Sequence, residues 1–172
     1  MPNHNASVSL GEIEIFHKDS ESAFYLYFSN SNPQVNSIML GLSKKEMLDL
    51  LQKRLSEADI RSTFTVLAKI EAAFRIDYDR RGRKRHRKSE PISKNLRSLY
   101  LLKKQKVRLE DIFDVWKYCF PQLKGLIDYL KWAFDFRHWV AHGRHWNNFN
   151  RIDFLTIYPI AQKIFNKIPL LE

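Results

Sequence analysis

From residue 43 onward, apolar residues recur at helical spacing, and this period constrains the fold more than any other feature of the chain. Ile60, Phe64, Leu67, Phe74 and Tyr78 fall on one stripe of a helix expected from about Glu57 to Asp79. Ahead of it, Ser43 and Glu46 have capping-box spacing before "MLDLLQKRL", which predicts a separate first helix. "ISKNLRSLYLLKK" follows Pro91 as a third helix and "LEDIFDVWKYCF" reads as a short fourth. Pro121 opens a long fifth, "PQLKGLIDYLKWAFDFRHWVAH", which Gly143 ends. "FLTIYPIAQKIFNKI" is the sixth, with Pro159 in its first turn or at a kink. The expected fold is mainly α: a helical bundle over residues 43–172.

Residues 1–42 read differently. "VSLGEIEIF" and "AFYLYF" favour strands, and "HKDSES" between them is longer than a tight hairpin turn. A small β-hairpin or an extended arm is expected there. A second break falls at "RRGRKRHRK", residues 80–88, which carries seven Lys and Arg and no apolar anchor. It reads as an exposed basic loop spanning about 80–90, closed by Pro91.

A chain of 172 residues suffices for one domain whose core needs neither disulfide nor metal. The single cysteine, Cys119, has no internal partner. No apolar run approaches the roughly 18 residues of a membrane span, and no secretory signal is seen. The expectation is a cytoplasmic protein with no membrane contact and no cofactor. The formal net charge of +10 favours a partner with a phosphate backbone or an acidic surface.

Two charges interrupt the apolar seams. Glu71 lies eleven positions after Ile60, about 20° from it around a helix, so a carboxylate sits on the buried stripe. It must be paired or must border a wet cleft. Arg75, one turn on, is a local partner. On the fifth helix Leu123, Ile127, Leu130 and Phe134 form the stripe, and Arg137 is next in the series. Opposite charges thus emerge from two apolar seams, and Glu71 is predicted to pair with Arg137. A structural ion pair at the core rim is the plainer alternative, although buried pairs are weak evidence of stability.

The stretch "FRHWVAHGRH" adds His138, His142 and His145 at i, i+4 and i+7. Such spacing can hold a metal. Against this, Trp139 stands where zincin sites place a glutamate, no cysteine is near, and Gly143 interrupts the helix before His145. Histidines capping a helix C-terminus are a second reading. A third is catalytic. In a continuous helix Arg137 and His142 point about 140° apart, and a loosened last turn would bring both to one cleft. Histidine can move the 2′-hydroxyl or leaving-group proton in RNA cleavage, while arginine stabilises the phosphorane.

"RHWVAH" resembles the R-x4-H signature of the HEPN superfamily, helical-bundle proteins many of which are metal-independent endoribonucleases. The wider "RHWVAHGRHW" looks like the "RHWxAHGRxW" form of a bacterial branch, and "IEAAFRIDYDRR" looks like that branch's second segment. The resemblance covers about residues 43–168. It implies Arg137 and His142 as the catalytic pair, His138 as the assisting polar neighbour, and Glu71 as the acidic partner on the facing helix. It further implies a homodimer with a composite cleft, a toxin or defence role restrained by an antitoxin or regulatory protein, and products ending in a 2′,3′-cyclic phosphate. Arg75, Arg80, Arg81, Arg83, Lys84, Arg85, Arg87, Lys88, Arg144 and His145 are the cations expected to hold the RNA backbone. The alternatives are a non-catalytic RNA-binding module of the same fold, a toxin–antitoxin interaction protein, and a toxin-type protein that transfers a nucleotide.

Overall fold

A computed structural model describes residues 8–29, 32, 39, 41–83, 89–143 and 152–171. Six α-helices occupy most of them: α1 Leu10–Tyr27, α2 Lys44–Arg83, α3 Pro91–Lys103, α4 Leu109–Cys119, α5 Lys124–Ala141 and α6 Phe154–Lys167. Single 3-10 turns at Lys104–Lys106 and Pro121–Leu123 precede α4 and α5.

The N-terminal hairpin expected from the sequence is instead α1; no strand occurs among the described residues. A capping box starts the helix. Glu12 N–H donates to Ser9 Oγ at 3.1 Å, and Ser9 N–H donates to Glu12 Oε2 at 2.6 Å. The short alternation "EIEIF" misled because it is also compatible with a helix packed on one side. Ile13 is 3% exposed against the core while Ile15, about 200° around the helix, is 61% exposed. Buried Ile13 and His17, four residues apart, form the inner face, and His17 stacks on Phe154 of α6 at 4.0 Å.

The two helices expected between 43 and 79 are one, α2, with 40 residues and a length of about 60 Å. No glycine or proline breaks it before Gly82. Its capping box is the predicted one: Ser43 N–H donates to Glu46 Oε2 at 2.7 Å and Glu46 N–H to Ser43 Oγ at 3.3 Å. The other helices pack around α2. Leu67, Ile70 and Phe74 meet Leu96 of α3, Phe113 and Trp116 of α4, Leu130 and Phe136 of α5, and Ile157 and Ile164 of α6 in one core. Phe74 lies edge-on to Phe113 at 4.9 Å and to Trp116 at 6.1 Å, a geometry that ring quadrupoles favour.

The basic loop also begins later than expected, because α2 runs through Arg80, Arg81 and Arg83. Arg81 is the reason. Its side chain is 1% exposed. Nε donates to Asp77 Oδ1 at 2.7 Å, and Nη1 donates to Glu90 Oε2 at 2.7 Å and to Ser93 Oγ at 2.9 Å. Nη2 donates to the Pro169 carbonyl at 2.7 Å, and the Leu171 N–H closes the cluster on Asp77 Oδ1 at 3.0 Å. This cluster ties α2, α3 and the C-terminal segment together. Gly82 is a packing residue: a Cβ there would meet the Tyr100 ring at 2.5 Å.

At the other helix ends, Pro91 takes the first position of α3. The Asp153 side chain caps α6 by accepting from Thr156 N–H at 2.8 Å. Pro159 lies inside α6, past its first turn, and the carbonyl it leaves unpaired belongs to exposed Leu155. Helix α5 ends at Ala141 as predicted, with His142 as C-cap and Gly143 at φ 77°.

Candidate functional site

The seam charges meet. Helix α2 carries Glu71 to the rim of the core and α5 carries Arg137 to the same point, with Arg137 Nη2 2.7 Å from Glu71 Oε2. The other carboxylate oxygen is held from within α2, where Arg75 Nε donates to Oε1 at 2.7 Å. One carboxylate therefore bridges two guanidiniums. Glu71 is 15% exposed, Arg137 30% and Arg75 44%, so the trio grades from core to solvent. Arg137 lies over the Phe64 ring at 5.5 Å, which covers one face of the guanidinium.

The Arg137–Glu71 contact is close but not aligned as a hydrogen bond. Glu71 Oε2 has no directed donor, and Arg137 Nε is buried without an acceptor. The distance establishes the charge pairing; the angle leaves hydrogen-bonding capacity unused on a guanidinium that has five donors.

The trio borders a cleft of about 360 Å³ between α2, α5 and the start of α4. Glu71, Arg75, Phe134, Asp135, Arg137 and His138 form one side and Val107, Arg108, Leu109 and Glu110 the other. His138 lines the cleft; His142 does not. The two imidazoles are nevertheless neighbours at i, i+4, both exposed, with ring centroids 4.1 Å apart. His142, the C-cap of α5, is thus linked to the cleft through His138. His145, the third histidine of the spacing, lies outside the described residues, as does Arg144.

The predicted RNA-contact cations divide. Arg75 lines the cleft. Arg80 and Arg83 are exposed at the end of α2, with Arg83 Nε 2.7 Å from Asp79 Oδ1. Arg81, expected among these cations, is not available to RNA: its guanidinium is buried in the cluster described above and cannot reach a ligand. Lys84, Arg85, Arg87 and Lys88 lie outside the described residues.

Sequence reasoning missed Arg108, Glu110 and Asp135. The first two stand at the start of α4, where Asp111 Oδ2 accepts from Arg108 N–H at 3.0 Å. That box carried no recognisable signal because arginine replaces the usual Ser, Thr, Asp or Asn at the cap. Asp135 was visible only as a charge two residues from Arg137, and nothing in its spacing aimed it at a cleft.

Among the described residues no three His, Cys, Asp or Glu side chains are grouped to hold a metal ion. No helix of the described residues is long and apolar enough to cross a membrane. No family model, curated protein or solved structure matches the chain.

Proposed function

We propose that this protein is an endoribonuclease of the HEPN type that cleaves RNA by 2′-hydroxyl transesterification without a metal ion. The observation that carries the reading is the pairing of Arg137 with Glu71 at the edge of a cleft that His138 lines and His142 adjoins. An arginine paired with a carboxylate on one side and partly exposed where it lines the cleft can stabilise the charge that develops on a phosphorane. One imidazole of the His138–His142 pair takes the 2′-hydroxyl proton, and the 2′-oxygen forms its bond to phosphorus. The 5′-oxygen leaves with a proton from the second imidazole, giving a 2′,3′-cyclic phosphate and a 5′-hydroxyl. Arg75, Arg80 and Arg83 hold the backbone. The chain acts as a homodimer in which two such clefts adjoin, as a toxin or defence nuclease restrained by a partner protein.

The test is cleavage of single-stranded RNA in the presence of chelator. Arg137→Ala and His142→Ala are expected to retain their circular dichroism and to lose activity by about 10²–10³-fold each. Wild-type rates in both folded variants would overturn the assignment. A second reading, a non-catalytic RNA-binding module, draws on the occupation of Arg137 by Glu71. RNA binding by the wild type without cleavage would select it.

A further inference from the structure

Among the described residues Lys104 is the one non-glycine with positive φ, at φ 47° and ψ −123°. Glycine adopts this conformation freely and a lysine resists it. Strain of this kind persists where surrounding contacts enforce it, and it clusters at functional segments. The enforcing contacts are clear. Lys104 N–H donates to the Tyr100 carbonyl at the end of α3. Its own carbonyl accepts from the buried Tyr78 hydroxyl at 2.8 Å. Burial holds the Tyr78 phenol above its usual range, so it stays a donor.

The turn so fixed is basic. Its sequence, "KKQKVR", places Lys103, Lys104, Lys106 and Arg108 within six residues. Asp111 pins both ends, by an ion pair with Lys103 Nζ at 2.8 Å and by accepting from Arg108 N–H at 3.0 Å. Among the described residues Lys104 and Lys106 form no ion pair with a carboxylate, and both are exposed. Val107 and Arg108, the next residues, line the candidate cleft. A cationic turn whose two ammonium groups pair with no carboxylate among the described residues therefore leads directly into the wall that faces Arg137.

We infer that the Lys104–Arg108 turn is a phosphate-binding rail that guides the RNA strand into the cleft. The inference rests on the ribonuclease reading for its substrate, but it concerns binding and is tested apart from cleavage. The rail makes two or three phosphate contacts, and the backbone fixed at Lys104 sets the point from which its flexible side chain leaves the turn. An acidic protein partner is the competing occupant of the same charges.

The experiment measures binding of an all-2′-O-methyl RNA, which cannot be cleaved by this chemistry, across a salt series. Lys104→Gly removes one charge and relieves the backbone, so its thermal midpoint is expected to equal or exceed that of the wild type while affinity falls severalfold. Lys104→Gln/Lys106→Gln/Arg108→Gln is expected to lower the slope of log K against log salt by about 2, near 0.7 for each lost contact with a single strand. Lys44→Gln/Lys45→Gln/Lys53→Gln, on the far half of α2, is the net-charge control and should leave the slope unchanged. Equal losses in control and rail variants would overturn the inference. So would unchanged RNA affinity and salt slope in the triple variant. A wild type that binds this RNA through the rail but cleaves no RNA would refute the nuclease reading and leave the rail standing. A wild type that binds no RNA would refute both.

Discussion

Replacing Glu71 by glutamine tests whether the bridge between α2 and α5 is a real interaction. The amide keeps the shape and can still accept from Arg75 Nε, but it removes the counter-charge 2.7 Å from Arg137. The magnitude lies between two limits. Exposed pairs contribute about 0.2–1 kcal/mol, and breaking a fully buried pair costs about 3–5 kcal/mol. At 15% exposure for Glu71 and 30% for Arg137, the pair is neither, and screening by nearby solvent places the loss at about 1–2 kcal/mol. For a chain of this size each kcal/mol shifts the midpoint by about 2–4 °C, so Glu71→Gln should melt about 2–8 °C lower. Comparison with Arg137→Met and the double variant isolates the pair. A coupling energy below about 0.3 kcal/mol would mean the two residues act independently, and the seam argument would fail. Glu71→Gln should also slow cleavage more than it weakens RNA binding, since it frees Arg137 to leave its position.

Two further outcomes concern the scaffold. Arg81→Met strips the buried Asp77 of its counter-charge and releases the Pro169 carbonyl, and should destabilise by about 3–5 kcal/mol in chemical denaturation; adding Asp77→Asn should recover part of that loss. Asp111 should contribute to the acid limb of stability. A hydrogen bond from Lys103 holds its carboxyl below the usual aspartate range, so the folded state favours the ionised form. Its contribution is present above the unfolded-state pKa and is lost as pH falls through the lower folded value. Asp111→Asn should flatten stability against pH in that acid window; a curve unchanged from wild type would exclude the Lys103 pairing.

The parts of the fold legible in the sequence are those written in periodicity and caps. The Ser43–Glu46 box and the Gly143 stop appear where their spacing predicts, as do Ile60, Leu67, Phe74 and Tyr78 of the α2 stripe and Ile127 and Leu130 of the α5 stripe, while Phe64 and Phe134 are only half-buried and Ala133 and Phe136 take the inner face of α5. The pairing of Glu71 with Arg137 was legible too, because a charge on an apolar stripe allows few solutions. The N-terminal helix was hidden because five alternating letters fit either period, and only tertiary contact exposes Ile15 while burying Ile13. The start of the basic loop was misplaced for a similar reason. Arg81 reads as one cation among many until Asp77, Glu90 and the Pro169 carbonyl, 88 residues away, are seen around it. The opposite wall of the cleft depends on the α3–α4 turn folding back onto α2, and its strained lysine has no signature in composition.

The central claim is that Arg137 and its neighbouring histidines deliver RNA to attack by its own 2′-hydroxyl. The most direct measurement uses a DNA oligonucleotide carrying a single ribonucleotide, incubated with the protein and chelator, with the product ends identified by mass spectrometry. The account predicts one cut, 3′ to that ribonucleotide, leaving a 2′,3′-cyclic phosphate and a 5′-hydroxyl, and no cut with Arg137→Ala. Cleavage of the all-DNA control, or a 5′-phosphate at the new end, would contradict it.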